Sequence, residues 1–117
     1  MVALVEDKPG VLTKVASMFR RRGFNIASLA VGNSEKPGLS RMTFVVNGDE
    51  YTVGQVVKQM DKLIDVIEVA DITSEPIVTR ELALVKVNTN QMTRGEIIQI
   101  VNLLRANIHD VATDPRV

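Results

Sequence analysis

The stretch EDKPGVLTKVASMF, residues 6–19, decides the fold because it contains the junction between a strand and a helix. The short apolar run VALVE before it, residues 2–6, is typical of a buried strand. Pro9 and Gly10 then interrupt the pattern, and apolar residues resume at helical spacing: Val11, Leu12, Val15, Ala16 and Phe19. The sequence therefore predicts a strand, a Pro-Gly turn and an amphipathic helix, with Gly23 as the C-cap after three arginines.

The next fifty residues continue the alternation of strands and helices. They predict a strand over 24–34, a turn at 36–38, an alternating strand around 42–46, a helix over 53–63 and a strand over 64–73. This βαββαβ order is that of a ferredoxin-like α+β fold, with a four-stranded antiparallel sheet and both helices on one face. Because these strands are apolar on more than one side, we expect the other sheet face to be apolar and to meet a partner.

The last third of the chain predicts a smaller second unit. We interpret residues 1–74 as one domain, 75–81 as a linker around Pro76, and 82–117 as a partial second α/β unit. Within that unit LALVKVN, residues 82–88, and IHDVA, residues 108–112, are expected to be strands on either side of a helix that opens at Thr93. The unit reads as half of a larger domain, either cut short or completed by another chain.

Composition excludes several functional classes. Fourteen basic residues balance fourteen acidic ones among 117 residues, which argues against a large nucleic-acid or membrane footprint. Three Phe, one Tyr and no Trp are too few for base stacking. No cysteine is present and no apolar run approaches a membrane span of about 20 residues. A soluble protein of a reducing compartment, without a signal peptide, is the interpretation that fits.

Catalysis finds little support in the sequence. His109 is the only histidine, and a solvent-facing or hydrogen-bonded role fits it better than catalysis. The carboxylates lack metal-loop or acid/base spacing, and neither a P-loop nor a dinucleotide fingerprint occurs. The three arginines at 20–22 admit phosphate binding, although a solvated helix end that offsets the macrodipole is the favoured interpretation. No catalytic residue and no metal site are predicted.

The first helix lacks an obvious side-chain cap. If Pro9 is the first helical residue the N-cap is Lys8, a poor capper, and if Asp7 is the N-cap the third position is Gly10, which cannot reach back. The other two helices open with capping boxes at residues 52–55 and 93–96. Free N–H groups at a helix start can bind a carboxylate, while Asp7 can receive an ammonium. A free amino acid is one interpretation; the other is that Asp7 is an ordinary cap and Gly10 avoids a clash.

A family resemblance makes this hypothesis more specific. DKPGVL after a first strand, in a βαββαβ frame, resembles the ACT domain, an amino-acid-sensing module. The longer run LVEDKPGVLTKVASMFRRRGFNIASLAVGNSEKPGLSRMTFVV resembles the regulatory (small) subunit of acetohydroxyacid synthase, also called acetolactate synthase. RRGFNIASLAVG and LSRMT distinguish that subunit from other ACT proteins, and VTRELALVKVN resembles the start of its second domain. The resemblance covers nearly the whole chain.

The resemblance implies a subunit with no activity of its own. Such subunits bind a catalytic subunit, raise its activity and confer feedback inhibition by valine or related branched-chain amino acids. Their ACT domains pair side by side into an eight-stranded sheet, so the resemblance implies a homodimer with effector sites at its interface. It also implies no cofactor here: thiamine diphosphate and magnesium, with FAD as a further candidate, belong to the catalytic subunit. The compartment is the cytoplasm, or the plastid stroma if the source is photosynthetic, although no transit peptide is visible.

The same resemblance implies a set of effector-binding residues. It places the effector site at the strand–helix loop and the second strand, with Asn25 facing the partner's loop and hydrogen-bonding the ligand carboxylate. Aliphatic side chains of the site receive the aliphatic side chain of the ligand. The assigned residues are Asp7, Gly10, Val11, Leu12, Asn25, Ile26 and, more weakly, Gly32. Two departures matter. Many relatives have asparagine where Asp7 stands, and their second domain is a complete βαββαβ unit.

Two other functional classes remain as alternatives. One is an ACT module that regulates a different biosynthetic enzyme or a transcription factor. The other is a small ferredoxin-like enzyme such as an acyl phosphatase, which requires an arginine-bearing phosphate cradle in the first loop. Glu6 and Asp7 occupy that position instead, so this class is disfavoured.

Overall fold

The structure is a computed structural model that describes residues 1–112. The chain divides into two compact units, Met1–Val78 and Thr79–Val117. The first unit has six elements in the predicted βαββαβ order: β1 Val2–Glu6, α1 Val11–Arg22, β2 Asn25–Asn33, β3 Leu39–Asn47, α2 Glu50–Asp61 and β4 Val66–Ala70. The predicted α+β fold with a four-stranded sheet is therefore confirmed.

The sheet has the strand order β2-β3-β1-β4, and every neighbouring pair is antiparallel. The two central strands are β1 and β3, whose register pairs Val2 with Thr43 and Glu6 with Leu39. The register shifts once on each outer strand, between Ile26 and Ser28 on β2 and at the β4 residues that pair with Leu4 and Val5. Within the described residues, β2 and β4 are the edges.

The core lies between one face of the sheet and the two helices. Alternate residues of the central strands face the helices: Ala3 and Val5 on β1, and Met42 and Phe44 on β3. The helices contribute side chains at i, i+3 and i+4 spacing: Val11, Val15, Met18 and Phe19 on α1, and Val56 and Met60 on α2. Phe19 packs edge-on against Phe44, with ring centroids 5.7 Å apart and an interplanar angle of 89°. Aromatic pairs in this geometry contribute about 0.5–1.5 kcal/mol beyond the area that they bury.

Two glycines mark the ends of α1. Gly10 is the N-cap, with φ 85°, and it has no side-chain cap hydrogen bond. Gly23 is the C-cap, with φ 70°, and its N–H donates to the Arg20 carbonyl at 3.3 Å. The Gly23 prediction is confirmed, whereas the predicted N-caps at Lys8 and Asp7 are wrong. The left-handed backbone at Gly10, which L-residues with a Cβ rarely adopt, separates Pro9 from the helix and delays its start.

The N-cap predicted for α2 at Thr52 is wrong, and the one predicted for α3 at Thr93 is confirmed in position but not in its hydrogen bond. α2 begins at Glu50, earlier than predicted, because the Asp49 carboxylate accepts a hydrogen bond from the Thr52 N–H at 2.8 Å. Thr93 does occupy the N-cap of α3, but its hydroxyl makes no cap bond. That hydroxyl instead accepts from the Asn90 N–H at 3.1 Å, which holds the preceding turn.

The second unit contains one regular element among its described residues, α3 Arg94–Leu103. No residue of α3 is buried. The strands predicted at 82–88 and 108–112 do not form. A strand needs a hydrogen-bonding neighbour, and no second strand is present in the described part of this unit to supply one.

The sheet face without helices is more polar than expected. Leu4 lies opposite Arg41 on one side and Glu68 on the other, so one row across the sheet is flanked by charges. Leu4 itself is nearly buried, whereas Val45 on the same face is exposed. The expectation of a uniformly apolar bare face is therefore wrong, because charged side chains alternate with apolar ones there.

An ion-paired aspartate joins the α2–β4 connection to the start of α1. The Asp65 side chain is 8% exposed and accepts a hydrogen bond from the Lys14 ammonium at 2.6 Å. The Lys8 ammonium lies 3.7 Å from the same carboxylate. The hydrogen bond from Lys14 lowers the pKa of Asp65 below its ordinary value of 3.8, burial opposes this shift, and the charges of Lys14 and Lys8 add to it.

This lowered pKa predicts an acid-dependent loss of stability. A carboxyl whose pKa is lower in the folded chain stabilises the fold above its unfolded pKa, and that contribution disappears as the pH falls through the folded pKa. We expect Asp65→Asn to lower the thermal midpoint at pH 7. We expect the gap from the parent chain to shrink as the pH falls below 3.8.

Thermal unfolding followed by circular dichroism across this pH range checks the prediction. Asp61→Asn is the matched control, because Asp61 forms no ion pair within residues 1–112. A gap between Asp65→Asn and the parent chain that stays constant from neutral to acid pH would contradict the role given to the charge.

Candidate functional site

The β1–α1 loop is held in place by its own backbone and by the β2–β3 turn. The Asp7 N–H donates to the Gly38 carbonyl at 2.9 Å, and the Lys8 N–H donates to the Glu6 carbonyl at 3.0 Å. The Asp7 carboxylate forms no hydrogen bond or ion pair with any residue that the structure describes. The loop therefore presents a free carboxylate from an ordered backbone.

The first turn of α1, which follows this loop, offers unpartnered N–H groups. The first regular helical bond runs from the Lys14 N–H to the Gly10 carbonyl at 3.0 Å, and the Val11 N–H reaches the Lys8 carbonyl only at 3.5 Å. The N–H groups of Leu12 and Thr13 have no acceptor among the described residues. Such groups at a helix start attract an anion such as a carboxylate.

Gly10 stands open to solvent at this turn. A Cβ built on Gly10 would meet no atom within 4 Å, so the suggestion that this glycine avoids a clash is wrong, as is the suggestion that Asp7 caps the helix. The glycine is required by its φ of 85° instead. The open space leaves room for a ligand against the backbone.

The predicted apolar site residues differ in their availability. Val11 is 4% exposed and packs in the core, so its side chain is already enclosed by protein. Ile26 is partly buried and packs against that core. Leu12 is 45% exposed on the outer side of α1, so it is the predicted apolar residue that is freest to contact a ligand.

The three predicted site residues on β2 lie towards opposite ends of the strand. Gly32 pairs with Arg41, which pairs in turn with Leu4 near the loop end of β1. Asn25 pairs with Asn47 at the other end, seven residues from Gly32, or about 23 Å at 3.3 Å per residue. One chain therefore brings Gly32 towards the loop and places Asn25 and Ile26 far from it.

A shallow cavity of about 380 Å³ lies on the helix-free face of the sheet. Arg41 and Glu68 line it over a floor that includes Val2 and Leu4. Arg41 is already held there by Glu35, with nitrogen–oxygen distances of 2.7 and 2.9 Å. None of the predicted effector residues lines this cavity, so the loop remains the candidate site.

Sequence reasoning missed the ionic contacts around the loop and the exposed apolar residues of β2. Asp65 meets Lys14 across 51 residues of sequence, a separation that no local pattern reveals. Leu29 and Val31 pair with Phe44 and Met42, so they point to the helix side of the sheet, yet they are 42% and 47% exposed. Edge position, which depends on strand order, explains that exposure.

The described residues contain neither a membrane-spanning helix nor a metal-binding cluster. No helix within residues 1–112 is long and apolar enough to cross a membrane. No group of three or more His, Cys, Asp or Glu side chains in that range is arranged to hold a metal ion.

Comparison with known proteins gives consistent matches. Residues 1–68 match the family model of the AHAS small subunit-like ACT domain, and residues 80–116 match that of the small subunit of acetolactate synthase. A probable acetolactate synthase small subunit of Archaeoglobus fulgidus is 54% identical over 97% of this chain and 71% of its own length. The acetolactate synthase small subunit of Mycolicibacterium smegmatis is 53% identical over 95% of this chain and 65% of its own.

A solved structure agrees with these sequence matches. The acetolactate synthase small subunit of Thermotoga maritima superposes with a TM-score of 0.86 at 47% identity, covering 97% of this chain and 71% of that one. The chain thus spans about two thirds of the length of the relatives that it matches. On this fold and these matches, the chain belongs to the family of acetolactate synthase small subunits and carries that family's ACT domain.

Proposed function

We propose that this chain is a non-catalytic regulatory subunit of acetohydroxyacid synthase. It binds a valine-like branched-chain amino acid and mediates activation and feedback inhibition of the catalytic subunit in valine, leucine and isoleucine biosynthesis. The observation that carries the proposal is the β1–α1 loop, which presents the free carboxylate of Asp7 and leads into unpartnered N–H groups of α1. Membership of the small-subunit family supports it.

The loop provides complementary chemistry for each part of an amino acid. The ligand carboxylate binds the N–H groups of Leu12 and Thr13, where the helix dipole favours negative charge. Its ammonium binds the Asp7 carboxylate. Its aliphatic side chain packs on Leu12, which α1 presents outwards. The Val11 side chain is buried in the core, so it lies below the site and leaves the contact with the ligand to Leu12.

The second half of the site comes from another copy of the chain. β2 is an edge strand whose Leu29 and Val31 remain exposed on the helix side, and such an edge accepts a further strand. Two copies joined antiparallel through β2 make an eight-stranded sheet with two-fold symmetry. In that arrangement Asn25 and Ile26 of one copy lie towards the Gly32 end of the other, which is the end that carries the loop.

The cofactors of the reaction belong to the other subunit in this proposal. The regulatory chain holds none, and thiamine diphosphate, magnesium and, as a further candidate, FAD are bound by the catalytic subunit. Both subunits share one compartment, the cytoplasm or, in a photosynthetic source, the plastid stroma.

The first prediction tests the regulatory role directly. The purified chain alone should consume no pyruvate with thiamine diphosphate and magnesium. Mixed with an acetohydroxyacid synthase catalytic subunit from the same source, it should raise acetolactate formation, and valine should reduce that rate. Failure to bind that subunit, together with binding of an amino acid in isothermal titration, would favour an ACT module that serves another protein.

The second prediction tests the ligand carboxylate at Gly10. Gly10→Asp and Gly10→Asn both place a side chain on a left-handed backbone, which asparagine and aspartate tolerate best, so both should lose similar stability. Only the aspartate repels the ligand carboxylate. We expect Gly10→Asp to bind valine at least about tenfold more weakly than Gly10→Asn, the loss of about one charged hydrogen bond.

Isothermal titration with valine, alongside thermal unfolding of both variants, checks this expectation. The asparagine variant is the control because it shares the shape and the backbone strain of the aspartate variant. Equal affinities in the two variants would show that no carboxylate binds beside Gly10.

The third prediction tests the β2 edge. We expect the parent chain to be a dimer in sedimentation velocity at micromolar concentration, and Val31→Asp to shift it to monomer because a charge would be buried in the joint. Ile64→Asp is the control: Ile64 is 93% exposed and lies outside β2. A monomeric parent chain, or a Val31→Asp variant that stays dimeric, would contradict joining through this edge.

A further inference from the structure

Asp65 connects a distant part of the chain to the β1–α1 loop at three points. Its backbone carbonyl accepts a hydrogen bond from the Glu6 N–H at 2.9 Å. Its carboxylate accepts from the Lys14 ammonium at 2.6 Å and lies 3.7 Å from the Lys8 ammonium. One residue just before β4 therefore holds the end of β1, the loop and the first turns of α1.

The carboxylate of Asp65 is buried, whereas its two lysine partners are exposed. The Asp65 side chain is 8% exposed, so its two cations are its compensation for burial. Glu6 Oε2 is also buried and contacts the Lys8 ammonium, which thus lies between two carboxylates. The hydrogen bond to Glu6 raises the pKa of Lys8, and the charges of Glu6 and Asp65 act in the same direction.

The position of Lys8 is transmitted along the loop to the helix start. Pro9 follows with a fixed φ, and Gly10 then takes the left-handed conformation that sets the direction of α1. From the other side, Lys14 donates its N–H to the Gly10 carbonyl while its ammonium holds Asp65. Gly10 thus lies between two residues that are both tied to Asp65, and the free N–H groups of Leu12 and Thr13 follow its orientation.

We propose that Asp65 is a positioning residue for effector binding: it touches no ligand, but it holds the β1–α1 loop in the conformation that receives the ligand carboxylate. The claim that Asp65 holds the loop rests on its contacts with Glu6, Lys8 and Lys14. The claim that it thereby raises effector affinity rests on the proposed function. A site that is competent for only part of the time binds in proportion to that fraction, so a looser loop weakens effector affinity.

The first measurement needs no ligand. The amides of Asp7, Lys8 and Val11 are the hydrogen-bonded N–H groups of the loop and helix start. In the full chain, their hydrogen exchange should be about tenfold faster in Asp65→Asn than in the parent, the effect of one lost charged hydrogen bond. Exchange in the β2–β3 pair should be unchanged relative to the overall stability of each variant. Lys14→Gln removes the same hydrogen bond from an exposed partner, so it should show the same pattern even if Asp65→Asn folds poorly.

The second measurement is valine affinity by isothermal titration. Asp65→Asn and Lys14→Gln should bind about tenfold more weakly, in step with the exchange rate. Asp49→Ala is the control: it loses the hydrogen bond that caps α2, and Asp49 makes no hydrogen bond or ion pair with the loop. It should therefore lower stability without changing valine affinity, or the exchange of the hydrogen-bonded loop amides relative to overall stability. Recovery of slow loop exchange by Asp65→Glu would support a role for the charge.

The possible outcomes distinguish the effect of Asp65 on the loop from its effect on effector affinity. Unchanged loop exchange in both Asp65→Asn and Lys14→Gln overturns the proposal. Faster loop exchange with unchanged valine affinity overturns the claim that Asp65 raises effector affinity. A parent chain that binds no branched-chain amino acid overturns the proposed function and, with it, the claim that Asp65 raises effector affinity. The exchange data still decide whether Asp65 holds the loop.

Discussion

The edge-on contact between Phe19 and Phe44 is the constraint on which the first unit depends. Phe44 lies on the central strand β3, and Phe19 also meets Phe24, at 6.1 Å, just before β2. One helical residue therefore anchors α1 to the middle of the sheet and to the start of its edge strand. Truncating a buried phenylalanine costs about 3–5 kcal/mol, a large part of the 5–15 kcal/mol typical of a domain. With α1 fixed there, the position of its N-terminal turn above the end of β1 follows.

Charged side chains cluster around that turn, although the chain as a whole has no net charge. Three carboxylates, of Glu6, Asp7 and Asp65, lie at or beside the loop with two ammonium groups, of Lys8 and Lys14. The two lysines engage Glu6 and Asp65 and leave Asp7 free. A zwitterionic ligand fits this balance, because its ammonium finds a carboxylate that has no protein partner while its carboxylate finds backbone donors that carry no competing anion.

Much of the fold was predictable, and the exceptions have physical causes. Hydrophobic periodicity identified all six elements of the first unit because each buries one side: Val15 and Phe19 on α1, Met42 and Phe44 on β3. The N-caps of α1 and α2 were mispredicted because several residues compete near each helix start, and the sequence does not show which of them leaves the helical conformation. The residues of the effector site were proposed from the family resemblance, whereas the ionic support from Asp65 depends on a contact across 51 residues. Strand pairing in the second unit failed because a pattern cannot show whether a neighbour exists.

The two edges of the sheet are not equivalent. β2 has nine residues and exposed apolar side chains, whereas β4 has only five residues. Short edge strands resist the addition of further strands. An isologous joint through β2 uses the same edge of both copies, so the product presents only β4 at either end. If two copies join through β2 as proposed, edge addition stops at two copies, because the short β4 strands are the edges that remain and they resist growth into filaments.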